Sequence, residues 1–170
     1  MTGFATFPTL APSRRAVVLG GLAVLGGCGG APPPKVSPLR VQILAAPSIN
    51  PNSNASPSPT VVRIYELKSD TTFRQADFFA LFDNDAQTLG ADLISKREFE
   101  LLPGAKESYE RDAPIETDFV GVIAGFRDIN AAQWRAIAPI KRDRVNDLIV
   151  TVTALAVTVV VTKTSMIGWF

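Results

Sequence analysis

Apolar and polar residues alternate along two stretches of the chain, residues 39–46 and 60–67. A period of two is typical of a β-strand that buries one of its faces. In the second stretch Val62 and Ile64 fall on one face, whereas Tyr65 falls on the other. We predict a strand over each stretch. Because a single loop joins them, we expect the two strands to pair as a hairpin.

A short helix is predicted over residues 74–83. Phe78, Leu81 and Phe82 recur at the spacing that lines one face of a helix. Thr72, followed three residues later by a glutamine, has the spacing of a capping box at the helix start. We expect the phenylalanines to pack in the core.

The rest of the chain is rich in short extended stretches bounded by turn residues. Strands are predicted at residues 93–102, 106–112, 119–126 and 134–140, and two more share residues 148–162. Threonines in the last stretch change phase between Thr151 and Thr158, which predicts a turn near residues 154–156. This set of elements predicts a mainly β fold, a two-sheet β-sandwich with one added short α-helix.

A long loop is predicted between the first two strands. Residues 47–59, PSINPNSNASPSP, hold four prolines, three asparagines and four serines, which excludes a helix or strand. Long loops in small domains often carry function, although a disordered insertion without a role is the alternative. Ile49 is the one large apolar residue in the segment and the candidate anchor for a binding partner.

The amino-terminal segment has the order of a secretory signal. Arg14 and Arg15 precede an apolar stretch over residues 16–27, which is shorter than the roughly 20 residues of a membrane-spanning helix. The stretch leads into LGGC at residues 25–28, which resembles the lipobox of bacterial lipoproteins. The resemblance implies that Cys28 carries palmitate and that the signal is cut before it. The alternative is an ordinary signal peptide with a chance cysteine.

These features predict three parts of the chain: a signal peptide over residues 1–27, the lipidated cysteine with a Pro/Gly-rich linker over 28–38, and a periplasmic β-sandwich over 39–170. In many Gram-negative lipoproteins an aspartate after the cysteine retains the protein in the inner membrane. Gly29 stands there in this chain, so the resemblance implies a lipid-anchored protein on the periplasmic face of the outer membrane. The arginine pair leaves both the general and the twin-arginine export routes open.

Charge and composition exclude several classes of function. The formal charge is +1, and loss of the two arginines of the signal leaves −1, so no surface for nucleic acid is expected. The absence of histidine excludes histidine-based catalysis, and one cysteine excludes an internal disulfide. Asp83 and Asp85 are interpreted as solvated surface, because the segment lacks the full ligand pattern of a calcium loop. We expect no catalytic residue, metal site, small-molecule substrate or cofactor apart from the lipid on Cys28.

Three segments form a specific series: VVRIYELKSDTTFRQADFFALFDNDAQTLGADL (61–93), LLPG (101–104) and GVIAGFRDINAAQWRAI (121–137). Together they resemble the TssJ family, the VasD/SciN-like outer-membrane lipoproteins of type VI secretion systems. The resemblance implies a transthyretin-like β-sandwich that anchors the secretion membrane complex by binding the periplasmic domain of the inner-membrane protein TssM. It also implies that the partner contacts the loop between the first two strands. The candidate residues in that loop are Ser48, Ile49, Asn50, Asn52, Ser53, Asn54 and Ser56.

Two other functions stay open at this stage. A periplasmic lipoprotein that binds glycans or peptides would need clustered aromatic residues in a concave site, whereas the two tryptophans and two tyrosines are scattered. An envelope hydrolase would need a nucleophile with its base, and the chain has no histidine to serve as one. The sequence therefore predicts a partner-binding lipoprotein rather than an enzyme. Residues 162–170 receive no predicted role.

Overall fold

The computed structural model describes residues 35–167 together with Gly3. The predicted signal peptide, the linker up to residue 34 and the lipidation site Cys28 lie outside the described residues. The strands are β1 (Val36–Ala45), β2 (Thr60–Leu67), β3 (Leu93–Leu101), β4 (Lys106–Pro114), β5 (Phe119–Ala124), β6 (Arg135–Pro139), β7 (Val145–Val152) and β8 (Val157–Ser165). The helices are α1 (Thr71–Gln75), α2 (Phe78–Asp83) and α3 (Asp85–Leu89), and a 3₁₀ turn over Gly90–Asp92 follows them.

The strands form two four-stranded sheets, ordered β4-β1-β7-β8 in the first sheet and β3-β2-β5-β6 in the second. All neighbours are antiparallel except β1 and β7, which run parallel. Alternate residues such as Leu39 and Ile43 on β1 and Val62 and Ile64 on β2 are buried in one cluster between the sheets. The predicted mainly β sandwich is confirmed.

The predicted hairpin of the first two strands is wrong. β1 lies in the first sheet beside β4 and β7, whereas β2 lies in the second sheet beside β3 and β5. Each strand has one face in the cluster between the sheets, and that pattern is satisfied equally well by two strands that face each other across a core. The long loop between them therefore crosses from one sheet to the other.

The single predicted helix is also wrong, because three short helices cover the outer face of the second sheet. The chain leaves the helical conformation at Ala76, and Asp77 then begins α2 by accepting the Ala80 N–H at 2.8 Å. Asn84, with φ −136°, breaks the helical conformation a second time. Thr72 does not cap a helix, since its hydroxyl donates to Asp92 at 3.1 Å.

A second buried cluster lies under these helices. Tyr65 and Leu67 of β2 contact Phe73 and Leu81 from the helices, so the odd-numbered face of β2 is buried as well. Gly121 of β5 leaves room for Phe73, because a Cβ there would lie 2.8 Å from the Phe73 Cζ atom. The expectation that the helix phenylalanines pack in the core is confirmed for Phe82, which is half-buried against this cluster, but is wrong for Phe79, which is 62% exposed.

The predicted turn within residues 148–162 is confirmed, since β7 ends at Val152 and β8 begins at Val157. β1 begins at Val36, earlier than the predicted start at residue 39. Among the described residues, no helix is both long and apolar enough to cross a membrane.

Candidate functional site

Four connections meet at one end of the sandwich, which we call the loop end. They are residues 46–59 between β1 and β2, 102–105 between β3 and β4, 125–134 between β5 and β6, and 153–156 between β7 and β8. Backbone hydrogen bonds join them: the Gly104 N–H donates to Ala46 O at 3.2 Å, and the Asn50 N–H donates to Ala154 O at 3.1 Å. The opposite end, where β1 begins at Val36, is called the linker end.

The base of the 47–59 loop is part of the core. Ile49 is fully buried in the cluster between the sheets, so the expectation that it is an exposed anchor is wrong. Ser58 is buried beside it, and its N–H donates to Ile49 O at 3.1 Å. Burial of one isoleucine side chain contributes about 1.5–3 kcal/mol, which fixes the loop to the sandwich.

Asn50 ties this base to its neighbours. Its side chain is buried, its Nδ2 donates to Pro59 O at 2.8 Å, and its Oδ1 accepts the Arg127 N–H at 2.8 Å. The Asn50 backbone has φ +45°, a left-handed conformation that asparagine tolerates better than most residues. Asn50 therefore orients the loop and is not available for direct contact with a partner.

The tip of the loop forms a compact turn around Asn52. The Asn52 Oδ1 accepts the N–H groups of Asn54 at 2.9 Å and Ser56 at 3.0 Å, and the Asn52 N–H donates to Ser56 O at 2.9 Å. Such side-chain to backbone bonds hold a turn without regular secondary structure. The predicted insertion is therefore an ordered, exposed turn.

The structure separates the seven candidate residues into two groups. Ser48, Ser53, Asn54 and Ser56 are exposed and Asn52 is half-buried, so these five can meet a partner or shape the surface that does. Ile49 and Asn50 support the loop from inside.

Sequence reasoning missed Leu102, which is 59% exposed in the turn beside the loop. The sequence LLPG does indicate it, because two consecutive leucines before a Pro-Gly turn cannot both point into the core.

The helices and the loop end are connected through β6. Arg135 donates from Nη1 to Phe73 O at 2.7 Å and to Ala76 O at 2.8 Å, which satisfies carbonyl groups at the end of α1. Trp134 packs edge-on against Phe78 with ring centroids 5.3 Å apart. These contacts hold the helical cover against the strand that enters the loop end.

A buried polar cluster lies between the sheets toward the linker end. Glu66 is 4% exposed, and the Arg111 Nε lies 2.7 Å from its Oε1, while its Oε2 has no hydrogen-bond partner among the described residues. Burial raises the pKa of Glu66, and the positive charges of Arg111 and Arg97 oppose that rise. Burial and the charge of Glu66 also raise the pKa of Tyr109. This ion pair lies far from the loop end and has a structural role.

The exposed surface of the loop end is mainly polar. The described part of the chain holds no group of three or more acidic, histidine or cysteine side chains that could bind a metal. The loop tip offers hydroxyl and amide groups on a backbone held by its own hydrogen bonds, and Leu102 adds an apolar side chain.

Comparison with known proteins agrees with the fold. A family model described as "Type VI secretion lipoprotein, VasD, EvfM, TssJ, VC_A0113" matches residues 37–159, which is most of the described chain. The chain belongs to this family of type VI secretion lipoproteins. The resemblance stated from the sequence is therefore confirmed.

Solved structures support the same membership. TssJ1 from Pseudomonas aeruginosa is 37% identical, with a TM-score of 0.72, and the match covers 75% of this chain and 98% of that chain. A chain in a structure described as "T6SS protein TssM C-terminal domain (869-1107) from EAEC" is 31% identical, with a TM-score of 0.60, over 72% of this chain and 99% of that one. A chain of a "Type VI membrane complex" is 27% identical, with a TM-score of 0.64, over 74% and 99%. None of the curated proteins matches the chain.

Proposed function

We propose that this type VI secretion lipoprotein is anchored in the outer membrane through lipid on Cys28 and binds the periplasmic domain of TssM through its loop end. The observation that carries the proposal is the ordered, exposed turn over residues 51–57, presented by a buried base. A turn held in shape before binding loses less conformational entropy when a partner contacts it. The protein acts by assembly and catalyses no reaction.

The geometry of β1 supports this division of roles. β1 is ten residues long, so its two ends lie roughly 30 Å apart. The linker joins the chain at one end, and the 47–59 loop begins at the other. A lipid attached at the linker end would leave the loop end free for a periplasmic partner.

The relative from EAEC supports the choice of partner. Because the match covers 99% of that chain but 72% of this one, the matched chain is about half as long as the TssM segment 869–1107 named in the description. The matched chain is therefore too short to be that complete segment, which favours a TssJ-like chain accompanying TssM. The membrane complex that holds another relative fits the same assembly.

Calorimetric titration of the full-length lipoprotein in detergent micelles with the periplasmic domain of TssM tests the partner. Residues 51–57 are replaced by a short Gly-Ser turn, which leaves Ile49, Asn50 and Ser58 in place. We expect micromolar or tighter binding by the parent and its loss in the variant, with an unchanged thermal unfolding midpoint. Met166→Ser at the linker end, where Met166 is exposed, is the matched control. Binding that survives loop replacement would move the interface elsewhere, and no binding by the parent would reject the partner.

The anchor is tested separately by palmitate labelling and membrane fractionation. We expect Cys28→Ser to lose both the label and the membrane association. Gly29→Asp should keep the label but move the protein from outer-membrane to inner-membrane fractions. A Cys28→Ser protein that remains with membranes would reject lipid anchoring at this residue.

A further inference from the structure

The linker end of the sandwich carries an ordered basic turn. Residues 140–144, IKRDR, join β6 to β7 and include three basic residues. The fully buried Asn146 fixes this turn, because its Oδ1 accepts the Lys141 N–H at 2.8 Å and its Nδ2 donates to Lys141 O at 2.9 Å. The Asp143 N–H donates to the Ser37 hydroxyl oxygen at 3.0 Å. The turn is therefore attached to the start of β1, where the linker enters the domain.

Several positive charges at this end lack an acidic partner. Lys35, Lys141 and Arg144 form no salt bridge within residues 35–167. The first two are exposed and the third is half-buried. The remaining basic residue of the turn pairs with Asp118, and Asp143 is the one acid within the turn, so positive charge is in excess. Such a cluster attracts an anionic surface.

An apolar segment leaves the domain at the same end. β8 ends at Ser165, which lies opposite Val145 at the start of β7. Met166 follows directly and is 71% exposed. The sequence over residues 166–170 is Met-Ile-Gly-Trp-Phe, of which the structure describes the first two residues. Tryptophan and phenylalanine beside basic residues are typical of segments that lie in the interface of a membrane.

The linker limits how far this end can lie from the bilayer. Eight residue steps separate Cys28 from Val36. A fully extended chain spans at most about 3.3–3.6 Å per residue, so lipid on Cys28 would keep the start of β1 within roughly 30 Å of the membrane. A contact that is weak between separate molecules becomes effective when such a short tether makes it intramolecular.

We propose that the linker end lies directly on a bilayer that contains anionic phospholipid, through the basic turn and residues 166–170. Lys35, Lys141 and Arg144 contact the headgroups, and the apolar segment enters the boundary between headgroups and acyl chains. The proposal rests on the lipid anchor proposed above and adds a second membrane contact, made by the domain itself. β1 then points away from the membrane and directs the loop end into the periplasm.

Position favours a bilayer over a protein as the occupant of this surface. The linker end is the part of the domain joined to Cys28, so a surface exposed there is the first to meet the membrane. Basic side chains beside an apolar, aromatic segment also match the two layers of a bilayer, anionic headgroups outside and acyl chains beneath. The polar tip of the 47–59 loop, at the other end of β1, has no such pairing.

The contact is tested with the acylated lipoprotein reconstituted in vesicles of phosphatidylethanolamine and phosphatidylglycerol. An NBD fluorophore is attached to Met166→Cys, or to Asn54→Cys at the loop tip as the control. Because NBD has a longer fluorescence lifetime in an apolar medium than in water, its two lifetimes give the ratio of membrane-contacting to detached fluorophores. We expect the long lifetime at position 166, shortened by spin-labelled lipid, and only the short lifetime at position 54.

Flotation of the same protein with the vesicles reports the lipid anchor separately. A protein that floats but shows only the short lifetime at position 166 would overturn the membrane contact and leave the anchor intact. Long lifetimes at both positions would overturn the proposed orientation. A protein that does not float would reject the anchor and, with it, the contact that rests on it.

The charge requirement is tested with Lys141→Gln, which keeps the turn because Lys141 bonds to Asn146 through its backbone. We expect the ratio of contacting to detached fluorophores at position 166 to fall about fivefold. The variant should behave like the parent in vesicles of phosphatidylcholine alone. Lys106→Gln, which removes an exposed charge at the start of β4, is the matched control and should change neither ratio. An unchanged ratio in Lys141→Gln, or equal losses in both variants, would refute attraction by the basic turn.

Insertion of the apolar segment is tested with Trp169→Ser, which should lower the same ratio roughly tenfold, since it withdraws one large aromatic side chain from the bilayer. Leu102→Ser removes an exposed apolar side chain at the loop end and should leave the ratio unchanged. If Trp169→Ser also leaves the ratio unchanged, residues 166–170 do not enter the membrane and the proposal fails.

Discussion

The side-chain oxygen of Asn50 accepts the backbone N–H of Arg127 across a distance of 2.8 Å, although 77 positions separate the two residues in the chain. The same side chain donates to Pro59 O, and the Asn50 backbone N–H donates to Ala154 O. Asn50 therefore links three of the connections at the loop end, two through its side-chain amide and the third through its backbone N–H. Substitutions at Asn50 should therefore weaken the attachment of the loop to the sandwich, while the side chains exposed at the loop tip stay the same.

Asn50→Ala should lower the free energy of unfolding by about 1–3 kcal/mol, because it removes the two hydrogen bonds that the buried Asn50 side chain makes with the Arg127 N–H and Pro59 O. Alanine is also strained at the φ of +45°, so Asn50→Gly should be more stable than Asn50→Ala by about 0.5–1 kcal/mol. Urea unfolding measures both values. Asn54→Ala at the exposed tip is the control and should stay within about 0.5 kcal/mol of the parent. Equal stability of the Asn50 and Asn54 variants would contradict the supporting role of Asn50.

Ile49→Ala should destabilise the protein by about 2–5 kcal/mol, because it opens a cavity between the sheets where Ile49 is fully buried. Ile49→Val should cost about 0.5–1.5 kcal/mol for the single methylene removed. The measurement is chemical unfolding of both variants. A loss of partner binding by Ile49→Ala with no loss of stability would instead restore Ile49 as a surface anchor.

Leu102→Ser should weaken binding to the periplasmic domain of TssM about fivefold or more while leaving stability within about 0.5 kcal/mol. The reason is that Leu102 is 59% exposed in a turn whose Gly104 N–H donates to Ala46 O, directly before the 47–59 loop. Calorimetric titration compares it with Met166→Ser, which removes an exposed apolar side chain at the linker end. If both variants bind like the parent, the 102–105 turn lies outside the interface.

Gly121→Ala should destabilise the protein by about 1–3 kcal/mol, since its Cβ would lie 2.8 Å from the Phe73 ring. Phe73→Leu shortens the opposing side chain, so the two changes together should cost less than the sum of their separate costs. A double-mutant cycle by urea unfolding measures that coupling. Strict additivity would show that Phe73 is not what excludes a side chain at position 121.

Glu66→Gln should change how stability depends on pH. Burial raises the pKa of Glu66 above its ordinary value of 4.5, so between these two values the folded state binds more protons than the unfolded state. The contribution of Glu66 to stability is therefore largest at low pH and falls as pH rises toward the raised pKa. We expect the parent to lose stability relative to Glu66→Gln from about pH 4 upward, until the difference becomes constant.

Urea unfolding of both proteins across about pH 4–7 tests this change. Glu100→Gln, at an exposed position of β3, is the matched control. A constant difference between the parent and Glu66→Gln over the whole range would contradict a raised pKa at this site.

The strands could be predicted because each one buries a face, and burial alternates along an extended chain. Their partners could not be predicted, because the alternation in β1 and β2 is the same whether they pair side by side or face each other across a core. The helices show a related limit. Phe78, Leu81 and Phe82 indicate α2 correctly, but the breaks at Ala76 and Asn84 depend on contacts with the sheet beneath.

The loop was located correctly from its prolines, asparagines and serines, yet its internal division could not be predicted. Asn50 forms hydrogen bonds with Ala154 and Arg127 of connections that lie far away in the sequence, and Ile49 is buried in the cluster between the sheets. Contacts between residues so far apart cannot be predicted from the pattern of neighbouring residues in the sequence. The partner-facing role of the exposed residues Ser53, Asn54 and Ser56 stays a prediction.

Much of the sequence series that resembles the TssJ family serves the fold. Gly90 adopts φ +50° after α3, and Gly104 adopts φ +77° in the β3–β4 turn. Trp134 and Arg135 hold α2 and α1 to β6. The motif residues thus specify the scaffold, which explains why a recognisable series accompanies a loop that matches no motif.

The two connections of β1 give the domain a defined mechanical axis. A pull between the linker at Val36 and the loop that follows Ala45 runs along this one strand. β1 is an inner strand, paired with β4 from Val36 to Leu44 and with β7 from Leu39 to Ala45. Such a load strains the hydrogen bonds on both sides in shear, so they must fail together rather than open one after another. Tension along this axis is shared by the whole first sheet.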